Sequence, residues 1–572
     1  MATTATGPHA AGEPPTGPLP TPPDFPVTWE QPGDERLFWT LDRMHFSDPL
    51  PPLAYSFLRV SMESGFSSAF ARYDVPMTTA VRRINAYPYQ SMIPAPLPPA
   101  EMAALGQRSE EKLGAAMGRL GEAWRDEWLP AIKRRLAAWE HFDLAGATLP
   151  ALRAHLDETM ARHRELWQLH FQVVLPAQLP MSLFQDLYRD LFADDDPFAA
   201  HRLLQGLDNE TLRANRDLWH LSRRALAAPT VRRILADRPS SAVVAALEGS
   251  DEGRAFLVAL RAYLAEHGRR GSNFFDLDRP SWLEDPAPVI DTLKGYLGNA
   301  DYDVEVQEAD LAAERERLVA AARERLQGYP QQVRDQFEHL LQAAQAGAIL
   351  HEDHGYYIDW QGAYRVRMVL LECGRRLADA GTIDTSDDVF LLTFEEVRDA
   401  LAALPGADLR PLVGERRAEM TRFRKVSPPP ALGTPPPGAP PDNPMTRMNQ
   451  RFFGGPPPVA QEPGTVRGNA GSSGKVTGRA VVIRSLAEAG RLRQGDILVA
   501  ETTAPPWTPL FATVAAVVTD TGGILSHSAV VAREYRIPAV VGTGAATRLI
   551  RDGQLVEVDG DVGLVRLLDA GA

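Results

Sequence analysis

A chain of 572 residues with a formal charge of −14 has room for two or three domains. It lacks the basic surplus that nucleic acid or an anionic membrane demands. Hydrophobic residues make up 44% and charged residues 23%, the balance of a globular protein with a sizeable core. The single cysteine, Cys373, excludes an intramolecular disulfide and a cysteine-rich zinc site.

The first 25 residues, rich in Ala, Thr, Gly and Pro, read as a disordered leader without the apolar stretch of a secretory signal. No run of 18 apolar residues occurs, so no transmembrane helix is expected and a cytoplasmic location is. From Trp29 to Arg424 the pattern is helical and strand-like alternation is scarce. Met102–Ala138, Leu152–Leu175 and Asp310–Ala346 space apolar residues three and four apart and are rich in Ala, Leu, Arg and Glu. Residues 26–426 therefore read as one large helical domain. Cys373 falls in the apolar run Arg365–Leu377 and reads as a core residue.

Ser427–Pro444 holds nine prolines in eighteen residues, and a second cluster follows at Gly454–Pro458. Such a run favours extended polyproline II, which would span up to about 55 Å at a rise of roughly 3.1 Å per residue. Residues 427–467 are expected to be a linker, either inert or a hinge with its bends at Gly433, Gly438 and Gly454–Gly455.

From Gly474 the texture changes. β-Branched runs at Ala480–Ile483, Ile497–Ala500, Val514–Val518, Ala539–Val541, Leu555–Val558 and Val562–Leu567 alternate with Gly/Pro/Asp punctuation and two short helical segments. Residues 468–572 read as a small α/β domain. Within it, the strand ending at Val518 runs into a Gly522-Gly523 turn, and a helix begins near Ser526, a good N-cap residue. His527 is thus placed at an exposed strand-to-helix corner. Free N–H groups and the helix dipole there stabilise an anion, and a neutral imidazole is a competent nucleophile toward phosphorus near pH 7. The two glycines would let phosphates approach the backbone.

Gly522-Gly-x-x-x-His527-x-Ala-x-x-Ala-Arg-Glu-x-x-Ile-Pro-Ala-Val-Val-Gly542 resembles the swivelling phosphohistidine domain of phosphoenolpyruvate-utilising enzymes. Gly495-Asp-Ile-Leu-Val-Ala500 and Thr503-Ala-Pro-Pro-Trp-Thr-Pro-Leu-Phe511 extend the likeness, the latter toward the rifampin phosphotransferase branch. The resemblance implies that His527 accepts the β-phosphoryl of ATP and carries it to a second site. It implies supporting roles for Thr519, Ser526 and Arg533. Arg533 reads equally as a bidentate phosphate clamp or as an exposed helix cation.

Weaker likeness covers Pro51-Pro-Leu-Ala-Tyr-Ser56, Pro280-Ser-Trp-Leu-Glu-Asp-Pro286, Asp387-Asp-Val-Phe-Leu-Leu392 and His351-Glu-Asp-His-Gly-Tyr-Tyr-Ile-Asp359, and resembles the helical substrate-binding part of the same enzymes. The ATP-grasp module that opens such enzymes does not precede Pro51, and Asn469-Ala-Gly-Ser-Ser-Gly-Lys475-Val lacks the first glycine and the Ser/Thr of a P-loop. By resemblance to phenylphosphate synthase, the expectation is one subunit of a split phosphotransferase. A separate ATP-grasp chain would bind ATP and Mg2+, and this chain would serve a small, phenolic or similar hydroxyl acceptor. The other reading is a phospho-carrier or regulatory protein whose helical domain binds proteins.

His351-x-x-His354 with Glu352 and Asp353 reads as a solvated polar turn, because spacing positions no further ligand, and no metal site is expected. Removal of the acceptor proton falls to one of His354, Asp359, His170 or His45. Trp167, Phe171, Tyr356 and Tyr357 either line an apolar acceptor pocket or belong to the ordinary core.

Overall fold

In the computed structural model, which describes residues 17–568 except 44, 47, 195, 272, 300, 301, 439 and 456–461, helices occupy the chain up to about residue 424 and an α/β region closes it. Strand β1 (Phe38–Leu41) comes first, then α1 (Pro52–Tyr73), which opens on a proline where a helix has no use for the N–H. A hairpin of β2 (Met77–Ile84) and β3 (Tyr87–Pro94) follows. Helices α2 (Pro99–Met117), α3 (Leu120–Ala123) and α4 (Leu129–Glu140) lead into α5 (Leu149–Phe192), 44 residues long.

A second group comprises α6 (Ala199–Arg202), α7 (Glu210–Ala227), α8 (Pro229–Asp237), α9 (Ser240–Leu247), α10 (Asp251–His267) and α11 (Ala287–Gly298). The pair α12 (Val304–Arg325) and α13 (Gln331–His354) then returns to α5, and α14 (Gln361–Asp379), α15 (Phe394–Ala403) and α16 (Arg410–Phe423) complete the helical part.

Helix α5 holds two internal prolines, Pro176 and Pro180. Pro176 leaves the Gln172 carbonyl without its helical donor, and the Tyr73 hydroxyl of α1 donates to it at 2.7 Å. Where α13 crosses this stretch, a Cβ on Gly347 would stand 2.2 Å from the Ala177 carbonyl, so only glycine permits the crossing. Around these helices lies the main core, including Phe57, Trp128, Leu156, Trp167, Val366 and Cys373. Cys373 is buried as expected, and burial pushes its thiol up to about 12.

Three expectations change. The first concerns the leader: residues 1–16 lie outside the described residues, but Leu19 donates to the Gly433 carbonyl and Phe25 is fully buried against Tyr87, Tyr89 and Phe423. The second concerns strands: the helical part contains a sheet of order β2-β3-β1-β4, its last strand being β4 (Ala431–Gly433).

The third concerns the proline-rich stretch, which is no free arm. Its β4 takes an edge position, where proline's missing donor is tolerated, and Gly433 is held there opposite Phe38. Its end starts α17 (Pro444–Phe453), with Pro444 at the first position and the Asn443 side chain accepting from Thr446 N–H. Arg447 and Arg451 of α17 both pair with Asp186 of α5, and Met448 and Phe452 are buried.

The final region is an eight-stranded sheet of order β5-β12-β11-β7-β8-β9-β10-β6. Its strands are β5 (Thr465–Arg467), β6 (Asn469–Ser472), β7 (Lys475–Val482), β8 (Ile497–Ala500), β9 (Ala516–Thr519), β10 (Ala539–Val541), β11 (Leu555–Asp559) and β12 (Leu564–Leu567). Asn469–Lys475 is thus β6, a short connection and the start of β7, with no helix after it, not a phosphate-cradling loop. Strands β7 through β10 run parallel, and every residue of β8, β9 and β10 is buried.

Alternation sorts their side chains. Ala480, Ile497, Val499, Val518 and Val540 fill a small core on one face. Val481, Leu498, Ala500, Val517 and Ala539 join the other core with Trp507, Phe511 and Tyr535, and that core continues into Leu218, Phe256, Ile290 and Leu293 of α7, α10 and α11.

Candidate active site

Strand β9 ends at Thr519, the chain turns through Gly522 and Gly523, and α18 (His527–Glu534) starts on His527. This corner lies at the carboxyl end of a parallel strand, where open α/β sheets place their ligands. Gly522 needs its glycine for a φ of +102°. Gly523 needs one for contact rather than for phosphate approach. A Cβ there would lie 2.3 Å from the Arg451 carbonyl, because Gly523 N–H donates to Phe452 and Leu525 N–H to Arg451. The end of α17 is therefore docked directly on the histidine loop.

His527 is not the exposed side chain expected. It is 12% exposed and bound on both ring nitrogens. Its Nδ1 lies 3.3 Å from Glu352 Oε1, on the last turn of α13, and its Nε2 lies 3.2 Å from Thr508 Oγ. The other Glu352 oxygen accepts from the Thr211 hydroxyl at 2.8 Å. A carboxylate can only accept, so Nδ1 carries the proton and Nε2 presents its lone pair, with Thr508 O–H donating to it. Burial pushes the Glu352 carboxyl up, but the His527 ring and its hydrogen bond, with His351 and Thr211 beside it, outweigh that and hold it down at about 2. The carboxylate orients the imidazole as the base-orienting acid of a triad does.

Of the residues expected to support phosphate, Thr519 and Arg533 are bonded within the fold. Ser526 occupies the N-cap position, yet its hydroxyl makes no cap bond and is buried without a hydrogen-bond partner. Thr519 donates its hydroxyl to the Thr521 carbonyl and so shapes the turn. Arg533 is neither clamp nor exposed cation: it is buried and donates to the Gly471 and Ile524 carbonyls.

The His351–His354 segment is not a solvated turn. Glu352 and His354 are buried, and Asp353 accepts from Glu210 N–H at 2.8 Å. Burial and the neighbouring carboxylates Glu210 and Glu352 push Asp353 up to about 7.

After α13 the backbone opens into one π-turn, Gly355–Trp360. His354 and Asp359 are five positions apart. On an α-helix they would stand about 140° apart, whereas the wider π-turn brings them together, and such turns recur at functional sites. His170 Nδ1 lies 2.8 Å from Asp359 Oδ1 and His354 Nε2 lies 3.9 Å from Asp359 Oδ2. All three residues are buried. Burial and the nearby His170 push His354 down to about 4.

Trp167 is core, as the commoner reading of such aromatics held, and stacks on His170 at 4.3 Å. Phe171 and Tyr356 are buried as well. Tyr357 donates to Glu210 at 2.7 Å and packs against Trp124, so its hydroxyl is already engaged. His45 pairs with Asp42 at 2.6 Å and lies against Phe274. The charges of His527, His170 and His45 all reach His351, which burial lowers first of all.

Sequence reading missed both partners of the histidine, and the threonine that holds one of them. Thr508 stood in the quoted Trp507–Phe511 piece, Glu352 in the quoted histidine motif, and Thr211 had no signal at all.

Residues 492–563 match the family model for the mobile domain of PEP-utilising enzymes, and residues 169–352 that for the rifampicin phosphotransferase fourth domain. The first contains His527; the second contains His170 and ends on Glu352. The chain is 41% identical over 560 residues, 96% of its length, to chondramide synthase of Chondromyces crocatus, of which it spans 14%. It is 29% identical over 542 residues, 94% of its length, to an uncharacterized phosphotransferase of Bacillus subtilis, of which it spans 62%. To rifampicin phosphotransferase of Streptomyces sviceus it is 34% identical over 316 residues, 54% of this chain and 34% of that one. No helix among the described residues is long and apolar enough to cross a membrane. The histidine corner thus lies in a segment similar to the mobile domain of PEP-utilising enzymes, and its carboxylate partner closes a segment similar to the rifampicin phosphotransferase fourth domain.

Proposed function

We propose that this chain is the acceptor side of a phosphohistidine-dependent phosphotransferase, with His527 Nε2 as the carrier atom. The observation that carries this reading is the bond between His527 and Glu352, which joins the two matched segments. With Nδ1–H held by the carboxylate, Nε2 carries the lone pair and is the nucleophile once the Thr508 hydroxyl turns away. The domain is then seated in its delivery position, with the carrier against the end of α13.

The phosphoryl donor is ATP with Mg2+, bound on an ATP-grasp domain outside these residues and supplied by a separate chain. The described residues do not fit the nucleotide: the one stretch that resembles a P-loop joins two strands and opens no helix. No step on ATP is therefore assigned to this chain. The net reaction is ATP + acceptor + water giving AMP, phosphate and phosphorylated acceptor. In the delivery step the Nε2–P bond breaks and an acceptor oxygen–phosphorus bond forms. The hydroxyl proton leaves to a base of the helical part, for which His170, His354, Asp359 and His45 are the candidates. The acceptor is a small hydroxyl compound, of phenolic or similar type.

Glu352 and Thr508 position the carrier. Trp167 fixes the His170 ring, and Gly522 and Gly523 give the loop its path. Incubation with an ATP-grasp protein and β-phosphate-labelled ATP should label His527 with an acid-labile, alkali-stable bond. Labelling by phosphoramidate, which needs no ATP-grasp domain, tests the carrier separately from its donor. Retention of label in His527→Ala under both conditions would rule out His527 as the carrier.

A further inference from the structure

Asp359 is a buried carboxylate whose ion-pair partners, among the described residues, are two histidines and no lysine or arginine. A buried charge without a fixed counter-charge is costly. The ligating atoms of His170, His354 and Asp359 all lie within 4.8 Å of one another. These residues come from α5, the end of α13 and the π-turn that follows, so only the fold assembles them.

We propose that His170, His354 and Asp359 form a site for one divalent transition-metal ion of the zinc class. Two imidazoles and one carboxylate select such ions over the harder Mg2+ and Ca2+. Metal–ligand bonds of about 2.0–2.2 Å place tetrahedral ligand atoms roughly 3.3 Å apart, so the present spacings close with shifts of about 1 Å.

The surroundings are already those of ligands. His354 Nδ1 donates to the Leu350 carbonyl at 2.8 Å, which leaves Nε2 as the coordinating atom. Trp167, stacked on His170, restrains that ring. Binding displaces the proton shared by His170 and Asp359, which is released to solvent. Three protein ligands leave a coordination position open, as in catalytic rather than structural zinc sites. If the function proposed above holds, an acceptor hydroxyl bound at that position loses its proton more readily, and the proton leaves to solvent because all three side chains are then ligands.

The test uses the full chain with Zn2+ or Co2+ alone, without phosphoryl donor or acceptor. Its failure is therefore separable from failure of the phosphotransferase reading, which phosphoramidate labelling of His527 reports. The expected result is one Co2+ per chain with visible ligand-field absorption, displaced by one Zn2+. Asp359→Asn and His354→Gln should each weaken binding by at least about tenfold. His170→Gln, and the spectrum of the unaltered protein, keep the test decisive should one variant fail to fold. Absence of the visible band in the unaltered protein, or equal Co2+ affinity in it and the folded variants, overturns the proposal. Loss of phosphoryl transfer in Asp359→Asn, with no metal bound by the unaltered protein, overturns it too and makes the His170–Asp359 pair a proton acceptor instead.

Discussion

Among the contacts between the C-terminal α/β region and the helical part, two are of opposite character. On one side Trp507, Phe511 and Tyr535 share a continuous apolar core with α7, α10 and α11. On the other, His527 touches α13 through one hydrogen-bonded pair with Glu352. The first contact is non-directional and scales with buried area; the second is a single geometry with little area. The seat of the domain is thus held by packing, while its reactive atom is aimed by polar contacts. A carrier that leaves this seat exposes the apolar core, unless α7–α11 travel with it. The proline-rich stretch adds a third tie through α17, whose end is bonded to the Gly523 turn. The proline-rich stretch is therefore not a free polyproline arm between the two regions.

The comparison is broken most completely by His527→Ala. Labelling should fall to background, while stability drops by about 1–3 kcal/mol, because the buried Glu352 carboxylate loses a partner. Thermal unfolding beside the labelling assay checks both halves. The apolar side responds in the opposite sense. Phe511→Ala should cost about 3–5 kcal/mol of stability, read as a lowered Tm, while phosphoramidate labelling of His527 persists in the folded fraction.

Glu352→Gln keeps the size but removes the charge that selects the tautomer. It should slow transfer by about 100-fold, with a Tm change well below that of Phe511→Ala. Its pH profile follows from the sign of the shift. The carboxyl sits at about 2 in the fold, against an ordinary 4.5. It therefore stabilises above pH 4.5, and that stability is lost as pH falls toward 2; Glu352→Gln should lack this loss in an acid titration.

The smallest expected effect is at Glu534, which accepts from Gly206 N–H at the apolar edge of the contact. Burial raises it from 4.5 to about 7. A raised carboxyl binds its proton more tightly when folded, so its contribution is full below pH 4.5 and fades as pH rises through 7. Glu534→Gln should flatten that part of the stability profile, measured by denaturant titration between pH 5 and 8.

Local chemistry made much of the α/β region legible from sequence. Buried parallel strands read as short β-branched runs, and each predicted run there overlaps an observed strand. Gly522, Gly523 and Ser526 mark the turn and the first turn of α18, so His527 was found with the backbone it needs. Composition also placed the long helices and Cys373. The two-strand hairpin Met77–Pro94 was missed inside a helical background. The proline-rich segment was misjudged because proline content says where a chain cannot donate hydrogen bonds, and both an edge strand and a helix start remain open to it.

What only the tertiary structure decided is which side chains meet. His170 and Asp359 stand 189 positions apart, and His527 and Glu352 stand 175 apart. No periodicity spans such distances, because spacing reports one element's face and not the element packed against it. The π-turn after His354 adds a second obstacle, since α-helical spacing places Asp359 away from the histidine it faces. The sequence by itself determined a carrier histidine on a strand-to-helix corner and a helical body before it. Packing of α5 against α13 and the seat on α7–α11 decided what that histidine touches, for the physical reason that side-chain partners are chosen by the surfaces a fold buries together.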